Sequence, residues 1–269
     1  MSNRRCFITT GLAFGAAVTT LGGLPRPARA QDGAILAAVQ SRGTLRIATT
    51  SGNPPYSAFK PDGTPEGYDI DIASEFAKAL KVKPDWIVVD TPGRITALQT
   101  GKADITVANF TDTVERSEVV AFTRPYVVVG SNYMVKQSSP VKTIDQLNNA
   151  QYKVGVPRGG MGEAIGHANT PTAQLLRFDS ADDAFLALQS GQVDAQLLDS
   201  LQNAAFLAKQ GASYRNLPGN YSYEEIAIGL PVGDPEWYRV VDGFVRQLVG
   251  SGEDAKLFKK WFGFDLPPL

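Results

Sequence analysis

Three polar side chains, Asn109, Thr111 and Asp199, lie at or just beyond the ends of two predicted buried strands. In open α/β sheets, ligands bind in the crevice outside the carboxyl ends of the strands. Amide, hydroxyl and carboxylate groups can hydrogen-bond a small polar solute without help from a cofactor. These positions therefore predict a cleft that binds a small polar molecule.

Residues that carry nucleophilic, metal or cofactor chemistry are scarce. His167 is the single histidine and Cys6 the single cysteine, so nitrogen–sulfur metal sites and Cys/His nucleophile pairs are not expected. The segment 160–162 (GMG) lacks the further glycine of a dinucleotide fingerprint, and Gly101-Lys102 lacks the upstream glycine of a phosphate-binding loop. We expect no catalytic residue, no cofactor and no metal.

Strand-like and helix-like segments alternate along the chain. The predicted strands are Thr44–Thr50, Asp85–Asp90, Ala103–Phe110, Tyr152–Val156, Leu175–Asp179 and Val193–Leu198. The predicted helices are Asp69–Lys81, Pro92–Thr100, a segment near Gly162–His167, Ala181–Ser190, Ser200–Lys209 and two segments within Pro235–Trp261. This alternation predicts an α/β fold with parallel sheets and helices on both faces.

One internal echo predicts two lobes of similar build. The segment 97–104 (ALQTGKAD) recurs ninety positions later as 187–194 (ALQSGQVD). In both copies a predicted helix ends at a glycine and the chain enters a short buried strand. The alternative is that two unrelated helix–turn–strand units share generic chemistry, but the order of the flanking strands agrees as well.

The first thirty residues have the pattern of an export signal. Arg4 and Arg5 precede an apolar stretch, and Ala28-Arg29-Ala30 supplies a small-x-small cleavage pattern. The segment 4–8 (RRCFI) resembles the twin-arginine export motif; an ordinary Sec signal that contains two arginines is the alternative. Cys6 precedes the apolar stretch, so it is not placed to carry the lipid of a lipoprotein. A soluble exported protein is expected.

Removal of this signal changes the charge balance. The chain has 26 basic and 27 acidic residues, and the signal holds four arginines and no acid, so 22 basic residues remain against 27 acids, a formal charge of −5. This balance argues against nucleic acid or an anionic membrane as a partner. The remaining 239 residues (269 less 30) contain no cysteine, so the hydrophobic core alone must hold the fold.

Several ordered motifs resemble the family 3 extracellular solute-binding proteins, the periplasmic receptors for polar amino acids. The motifs are 67–72 (GYDIDI), Arg94-Ile95 with Leu98, Gly101 and Asp104, then 110–116 (FTDTVER) and 122–126 (FTRPY). The resemblance implies two α/β lobes, each a doubly wound sheet, joined by two crossing strands near Val129–Met134 and Ala227–Leu230. It assigns residues 31–131 plus 228–269 to lobe 1 and residues 132–227 to lobe 2.

The same resemblance implies roles for five side chains. Arg116 matches the arginine that binds the ligand's carboxylate, for which its planar fork is suited, and Thr111 and Asn109 match contacts beside it. Asp199 matches the carboxylate that holds the ligand's ammonium, and its alternative role is to cap the helix that follows. Tyr56 matches an aromatic lid over the ligand, with a place in the core as its alternative.

Two positions bear on the choice of ligand. Arg94 occupies the position where receptors for glutamate and aspartate carry an arginine, which favours an acidic ligand; the alternative is that it braces the start of its helix. Met161 stands in a loop where many relatives have a hydroxyl, although the main-chain N–H groups there can still receive an anion. The resemblance therefore implies a polar amino acid, with glutamate or aspartate ahead of other ligands.

The predicted function is a periplasmic receptor that closes on a polar amino acid and delivers it to an ABC importer. Its expected partners are the amino acid and a membrane-embedded permease, and we expect a monomer. The alternative is an enzyme on the same scaffold, similar to the periplasmic cyclohexadienyl dehydratases. Such an enzyme needs a proton donor with a shifted pKa in the cleft, and no motif assigns an acid to that role.

Overall fold

The computed structural model describes residues 33–267; the predicted export signal and Gln31 lie outside this range. Ten α-helices lie within it: α1 Ala34–Arg42, α2 Tyr68–Ala79, α3 Gly93–Gln99, α4 Val114–Ser117, α5 Ile144–Leu147, α6 Met161–Asn169, α7 Ala181–Ser190, α8 Ser200–Gln210, α9 Pro235–Ser251 and α10 Glu253–Phe262. No helix of residues 33–267 has the length and apolar character needed to cross a bilayer.

Fourteen strands are found in the same range: β1 Thr44–Thr49, β2 Ala58–Phe59, β3 Pro65–Glu66, β4 Lys83–Val88, β5 Ile105–Thr106, β6 Ala121–Phe122, β7 Val127–Val129, β8 Ser131–Lys136, β9 Lys153–Pro157, β10 Gln174–Phe178, β11 Ala195–Asp199, β12 Tyr214–Asn216, β13 Glu224–Ile226 and β14 Gly229–Leu230. Ten of them form two five-stranded sheets, with orders β4-β1-β5-β14-β6 and β10-β9-β11-β8-β12. We call the parts built on these sheets the first and the second lobe.

The two sheets have the same construction. In the first, β1 runs parallel to β4 and β5, whereas β14 runs antiparallel to β5 and β6. In the second, β9 runs parallel to β10 and β11, whereas β8 runs antiparallel to β11 and β12. The predicted parallel pairings are present in both sheets. Each sheet is nevertheless mixed, because β8 and β14 enter their sheets from the opposite lobe and so run antiparallel to the neighbouring strands.

The repeated eight-residue segment occupies equivalent places in the two sheets. Its glycines, Gly101 and Gly191, have φ of 66° and 81°, the left-handed conformation that ends a helix. Its aspartates both bond to the strand beside the one that follows the segment, β1 in the first sheet and β9 in the second. The carboxylate of Asp104 accepts the N–H of Arg46 at 2.8 Å, and that of Asp194 accepts the N–H of Lys153 at 2.8 Å. The repeated segment therefore belongs to a structural unit that occurs once in each lobe.

Two short strands connect the lobes. β7 pairs antiparallel with β13; β7 is followed at once by β8 of the second sheet, and β13 leads into β14 of the first. The connections lie a few residues before the predicted positions, because Ser131–Lys136 already belongs to the second sheet and Gly229–Leu230 to the first.

The C-terminal helices pack on the first lobe. Asp234 caps α9 by accepting the N–H of Trp237 at 2.9 Å, and it also accepts the N–H of Gly33 and of Ile35 from the other end of the described chain. Along α9 the buried residues recur at three- and four-residue intervals, which places them on one face of the helix; they are Trp237, Val241, Val245 and Leu248. This face joins the core of the first lobe.

Candidate functional site

A cavity of about 60 Å³ lies between the lobes, where the carboxyl ends of both sets of parallel strands meet. This is the edge at which open α/β sheets bind ligands. Its walls come from the loops after β1, β5 and β9, from α3, α4 and the start of α6, and from β11 and β13. The charged and polar side chains among its lining residues are Thr50, Asn53, Thr91, Arg94, Asn109, Thr111, Arg116, Ser131, Asp199, Gln202 and Glu224.

Asn109 links the two lobes beside this cavity. Its φ of 46° is unusual for a residue other than glycine, and its N–H donates to the buried carboxylate of Asp69 at 2.5 Å. The Nδ2 of Asn109 then donates to Oδ2 of Asp199 in the second lobe at 2.8 Å. Asn109 thus bridges two carboxylates, one from each lobe.

Asp199 is both a helix cap and a wall of the cavity. It is the last residue of β11, only 7% exposed, and its Oδ1 accepts the N–H of Gln202 at 2.8 Å to cap α8. Burial raises the pKa of the carboxyl to about 7, and the nearby Glu224 adds to this rise, while hydrogen bonds from Gln202 and Asn109 oppose it. The capping role is confirmed, with one carboxylate oxygen bonded to Gln202 and the other to Asn109; contact with the ammonium of a ligand stays a prediction.

Arg116 reaches the cavity from the short helix α4. Its Nη1 donates to the carbonyl of Thr111 at 2.7 Å, and its Nη2 donates across the cleft to the carbonyl of Gly159 at 3.4 Å. The guanidinium lies 5.3 Å from the centre of the Phe110 ring. Burial lowers its pKa, whereas Glu224 raises it. Its hydrogen-bond acceptors within residues 33–267 are main-chain carbonyls, which carry no charge.

Arg94 lies deeper, on α3, and is 4% exposed. Its Nε donates to the carbonyl of Thr91 at 2.8 Å, and its Nη1 donates to the carbonyls of Ala108 and Asn109 at 3.0 and 2.9 Å. Burial, followed by repulsion from Arg116, lowers its pKa to about 9. These contacts support the bracing role of Arg94. Because the side chain also lines the cavity, direct contact with a ligand stays a prediction.

Thr111 and Met161 both line the cavity. The hydroxyl of Thr111 donates to Oε2 of Glu224 at 3.2 Å, so in this structure its hydrogen bond is made to a carboxylate of the protein. Met161 is the first residue of α6 and is half-buried against the core of the second lobe. A thioether therefore occupies part of the wall where a hydroxyl would otherwise offer a hydrogen bond.

The predicted lid, Tyr56, does not line the cavity. Its side chain is fully buried in the core of the first lobe, where its ring packs against Phe262 at 5.3 Å and Tyr68 at 6.4 Å. Gly67 makes this position possible, because a Cβ there would collide with the carbonyl of Tyr56. The hydroxyl of Tyr56 alone approaches the site, 3.5 Å from Oδ1 of Asp199.

The lobes touch each other around the cavity. Besides the Asn109–Asp199 bond, Nε2 of Gln202 in the second lobe donates to Oδ1 of Asn53 in the first at 2.6 Å. The N–H of Asp182 donates to the carbonyl of Gly52 at 3.1 Å. These bonds join loops of the first lobe to the starts of α7 and α8, so the structure shows a closed cleft.

The model for bacterial extracellular solute-binding proteins, family 3, matches residues 45–264. The chain belongs to this family. This family 3 protein is 26% identical over 252 residues to the L-cystine-binding protein TcyJ of Escherichia coli (strain K12), covering 93% of this chain and 94% of that protein. It is 27% identical over 231 residues to the L-arginine-binding protein of Pseudomonas aeruginosa, covering 82% and 89%.

A solved structure shows the same fold. The ancestral amino acid-binding protein AncCDT-1, a precursor of cyclohexadienyl dehydratase, matches this family 3 chain with a TM-score of 0.79 and 34% identity, covering 84% of this chain and 99% of that one. The predicted family and two-lobed fold are therefore confirmed.

Two acids of this family 3 site were missed by the sequence reasoning. Asp69 begins a predicted helix and belongs to the motif 67–72, but neither feature assigns it to the site; it is fully buried and accepts the hydroxyl of Tyr126 at 2.8 Å. Glu224 is 4% exposed and lies on the connecting strand β13. A signal for Glu224 existed: it stands two residues before the buried Ile226, so both side chains point to one face of the strand.

The two buried aspartates predict how stability varies with pH. A carboxyl whose pKa is raised in the folded state stabilises the fold at low pH, and this contribution is lost as pH rises through the folded pKa. Burial raises the pKa of Asp69 and of Asp199 to about 7. Both proteins should lose unfolding free energy as pH rises from 5.5 to 7.5. Because Asp199→Asn removes one of the two titrating groups, the variant should lose about 2 kcal/mol less than wild type over this interval.

Urea unfolding of wild type and Asp199→Asn at both pH values measures this difference. Asparagine is an equally good N-cap residue, so the variant retains the start of α8. If the unfolding free energies of the two proteins change equally with pH, the pKa of Asp199 lies in its ordinary range and this prediction is wrong.

Proposed function

We propose that this chain is a periplasmic receptor that binds a polar amino acid between its lobes and delivers it to an ABC importer. The observation that supports this most is that Arg116 and Asp199 line one closed cavity from opposite lobes. A free amino acid presents a carboxylate and an ammonium, and each must meet an opposite charge when it is buried. A ligand held by both residues favours the closed form over the open one.

The roles that we propose follow from this arrangement. Arg116 binds the carboxylate, Asp199 binds the ammonium, and Asn109 orients Asp199. Thr111 and Met161 complete the wall. The partner that receives the ligand is a membrane-embedded permease, and the receptor acts as a monomer.

The relatives agree on the class of ligand but differ in its identity. Their names specify binding of cystine in one case and of arginine in another. We propose that this chain likewise binds its ligand without chemical change. The similarity to AncCDT-1 does not support a dehydratase, because that ancestral protein is itself named as an amino acid-binding protein.

A thermal-shift screen with the twenty standard amino acids tests the proposed function. A ligand present at 100 times its dissociation constant adds about 2.7 kcal/mol to the free energy of unfolding, so at least one amino acid should raise the melting temperature by several degrees. Native mass spectrometry of protein purified without refolding provides a second test, since it reports any ligand that remains bound. If no amino acid binds in either measurement, the proposed function is wrong.

The proposed periplasmic location predicts that the export signal is cleaved. Cleavage after Ala30 should release a chain that begins at Gln31, within a residue or two, and mass analysis of a periplasmic extract measures this directly. Replacement of both Arg4 and Arg5 by lysine should abolish export by the twin-arginine route, whereas a Sec signal tolerates the change because the positive charge is kept. Full-length protein found only in the membrane fraction would contradict cleavage.

A further inference from the structure

Five charged side chains line the cavity or lie directly behind its wall. Two are arginines, Arg94 and Arg116, and three are acids, Asp69, Asp199 and Glu224. Four of the five are buried, and Arg116 is half-buried. None of them forms an ion pair with another residue of the described range 33–267. Above about pH 7, the value to which burial raises the pKa of Asp69 and of Asp199, the cluster of two arginines and three carboxylates has one negative charge in excess.

The acids that compensate the charges of the two arginines lie beyond ion-pair distance. Asp69 and Arg94 are close enough to stabilise each other's ionised forms, and Glu224 is close enough to stabilise the ionised form of Arg116. Among residues 33–267 no arginine bonds to Asp199, whose carboxylate accepts from Gln202, Asn109 and Tyr56; the neighbouring Glu224 disfavours its ionised form. The excess charge therefore lies on the side of the cavity that holds Asp199 and Glu224.

The carboxylate of Glu224 is held in place by neutral groups. Its Oε1 accepts the hydroxyls of Ser131 and Ser222, both at 2.6 Å, and its Oε2 accepts the hydroxyl of Thr111 at 3.2 Å. Hydroxyl donors orient a carboxylate without neutralising it. When the carboxylate of an amino acid binds Arg116, it takes over the counter-charge role of Glu224. Glu224 is then a buried acid without a cation, which is an unfavourable state.

We propose that the ligand is an amino acid with a positively charged side chain, and that Glu224 binds this second cation while Asp199 binds the α-ammonium. This inference rests on the proposed function and specifies its ligand class. A zwitterion with a neutral side chain leaves the single negative charge of the cluster in place. A basic amino acid cancels it, and an acidic one doubles it. The charge count thus disfavours glutamate and aspartate as ligands, whereas the position of Arg94 considered by itself favours them.

A pair of ligands separates this proposal from the proposed function. Arginine and citrulline have nearly the same size and shape, but only arginine carries a charge on its side chain. Calorimetry on the purified exported protein at pH 7.5 should show arginine binding about 30-fold or more tightly than citrulline, the range for removing one partner of a buried charge pair. Lysine should also bind, and glutamate should bind more weakly than citrulline.

The substitution Glu224→Gln tests the residue itself. It retains the shape and the acceptor oxygen and removes the charge, so arginine should lose about 30-fold or more in affinity while citrulline changes by only a few-fold. The matched control is Glu225→Gln, since Glu225 lies next to Glu224 on β13 and bonds to Tyr223 away from the cavity. Glu225→Gln should bind both ligands as the wild type does.

The outcomes are distinct. Equal affinity of wild type for arginine and citrulline would overturn the proposal and leave the amino-acid receptor intact, and it would mean that a carboxyl takes up a proton in place of the cation. Tighter binding of glutamate than arginine would overturn it as well. Failure of every amino acid would overturn the proposed function and this inference with it. The melting curve of Glu224→Gln reports whether the variant folds. If it does not, the comparison of arginine with citrulline on the wild type still tests whether the charge of the ligand's side chain is recognised.

Discussion

Arg116→Ala is expected to weaken amino-acid binding by about 30-fold to several-thousand-fold while leaving the protein folded. Removing one partner of a buried charge pair costs roughly 2–5 kcal/mol, because the remaining charge stays buried without its counter-ion. The close contacts of Arg116 within residues 33–267 are main-chain carbonyls and an aromatic ring, so its loss breaks no ion pair there and removes only the longer-range attraction to Glu224. Calorimetry with the ligand found by the screen measures the effect.

Two further variants make this test specific. Arg124→Ala removes an exposed arginine of the same lobe, which pairs with Asp242 away from the cavity, and should bind ligand as the wild type does. Asp199→Asn should lose affinity over the same range as Arg116→Ala, because it keeps the helix cap and removes only the charge. Near-wild-type affinity in either cavity variant would remove that residue from the site.

Tyr56→Ala is expected to destabilise the fold strongly, whereas Tyr56→Phe should change little. Replacing a buried aromatic ring by alanine costs about 3–5 kcal/mol, which corresponds to a fall in melting temperature of about 2–4 °C for each kcal/mol in a protein of this size. Tyr56→Phe keeps the ring and removes a hydroxyl that lies 3.5 Å from Asp199. Its melting temperature and ligand affinity should stay close to those of wild type.

This pair of variants distinguishes a core residue from a lid. A lid would show the opposite result: wild-type stability in Tyr56→Ala combined with a large loss of ligand affinity. Tyr223→Ala is the control for stability, since Tyr223 is 70% exposed and its removal should not alter the melting curve.

The helices were predictable because their signals are local. Helix α7 begins after the cap Ser180 and ends before Gly191, and its observed bounds, Ala181–Ser190, agree with those predicted. The strand predicted over Ala103–Phe110 is reduced to Ile105–Thr106. Its length depends on partners that are distant in sequence, and the left-handed turn at Asn109 ends any extended conformation.

The site was predictable only in part, for a related reason. Arg116 and Asp199 belong to motifs and could be assigned roles from sequence. For Glu224 the sequence offers only its spacing of two residues from Ile226; the role of its carboxylate depends on hydroxyls from three separate segments of the chain. The sequence left two positions open for Tyr56, a lid and the core; the structure shows the core position, which depends on close approach of Gly67 to its main chain and on packing against Phe262.

The position of Glu224 on a connecting strand has a kinetic consequence. In a rotation about β7 and β13, atoms close to these strands move least, so Glu224 and its partners Ser131 and Ser222 keep their arrangement when the lobes separate. The Asn109–Asp199 bond spans the cleft and must break. If the ligand carries the proposed positive side chain, the carboxylate of Glu224 attracts it before the lobes close, and we expect the association rate to fall as ionic strength rises. The dissociation rate, in contrast, depends on how often the bonds between the lobes open, the Asn109–Asp199 bond among them.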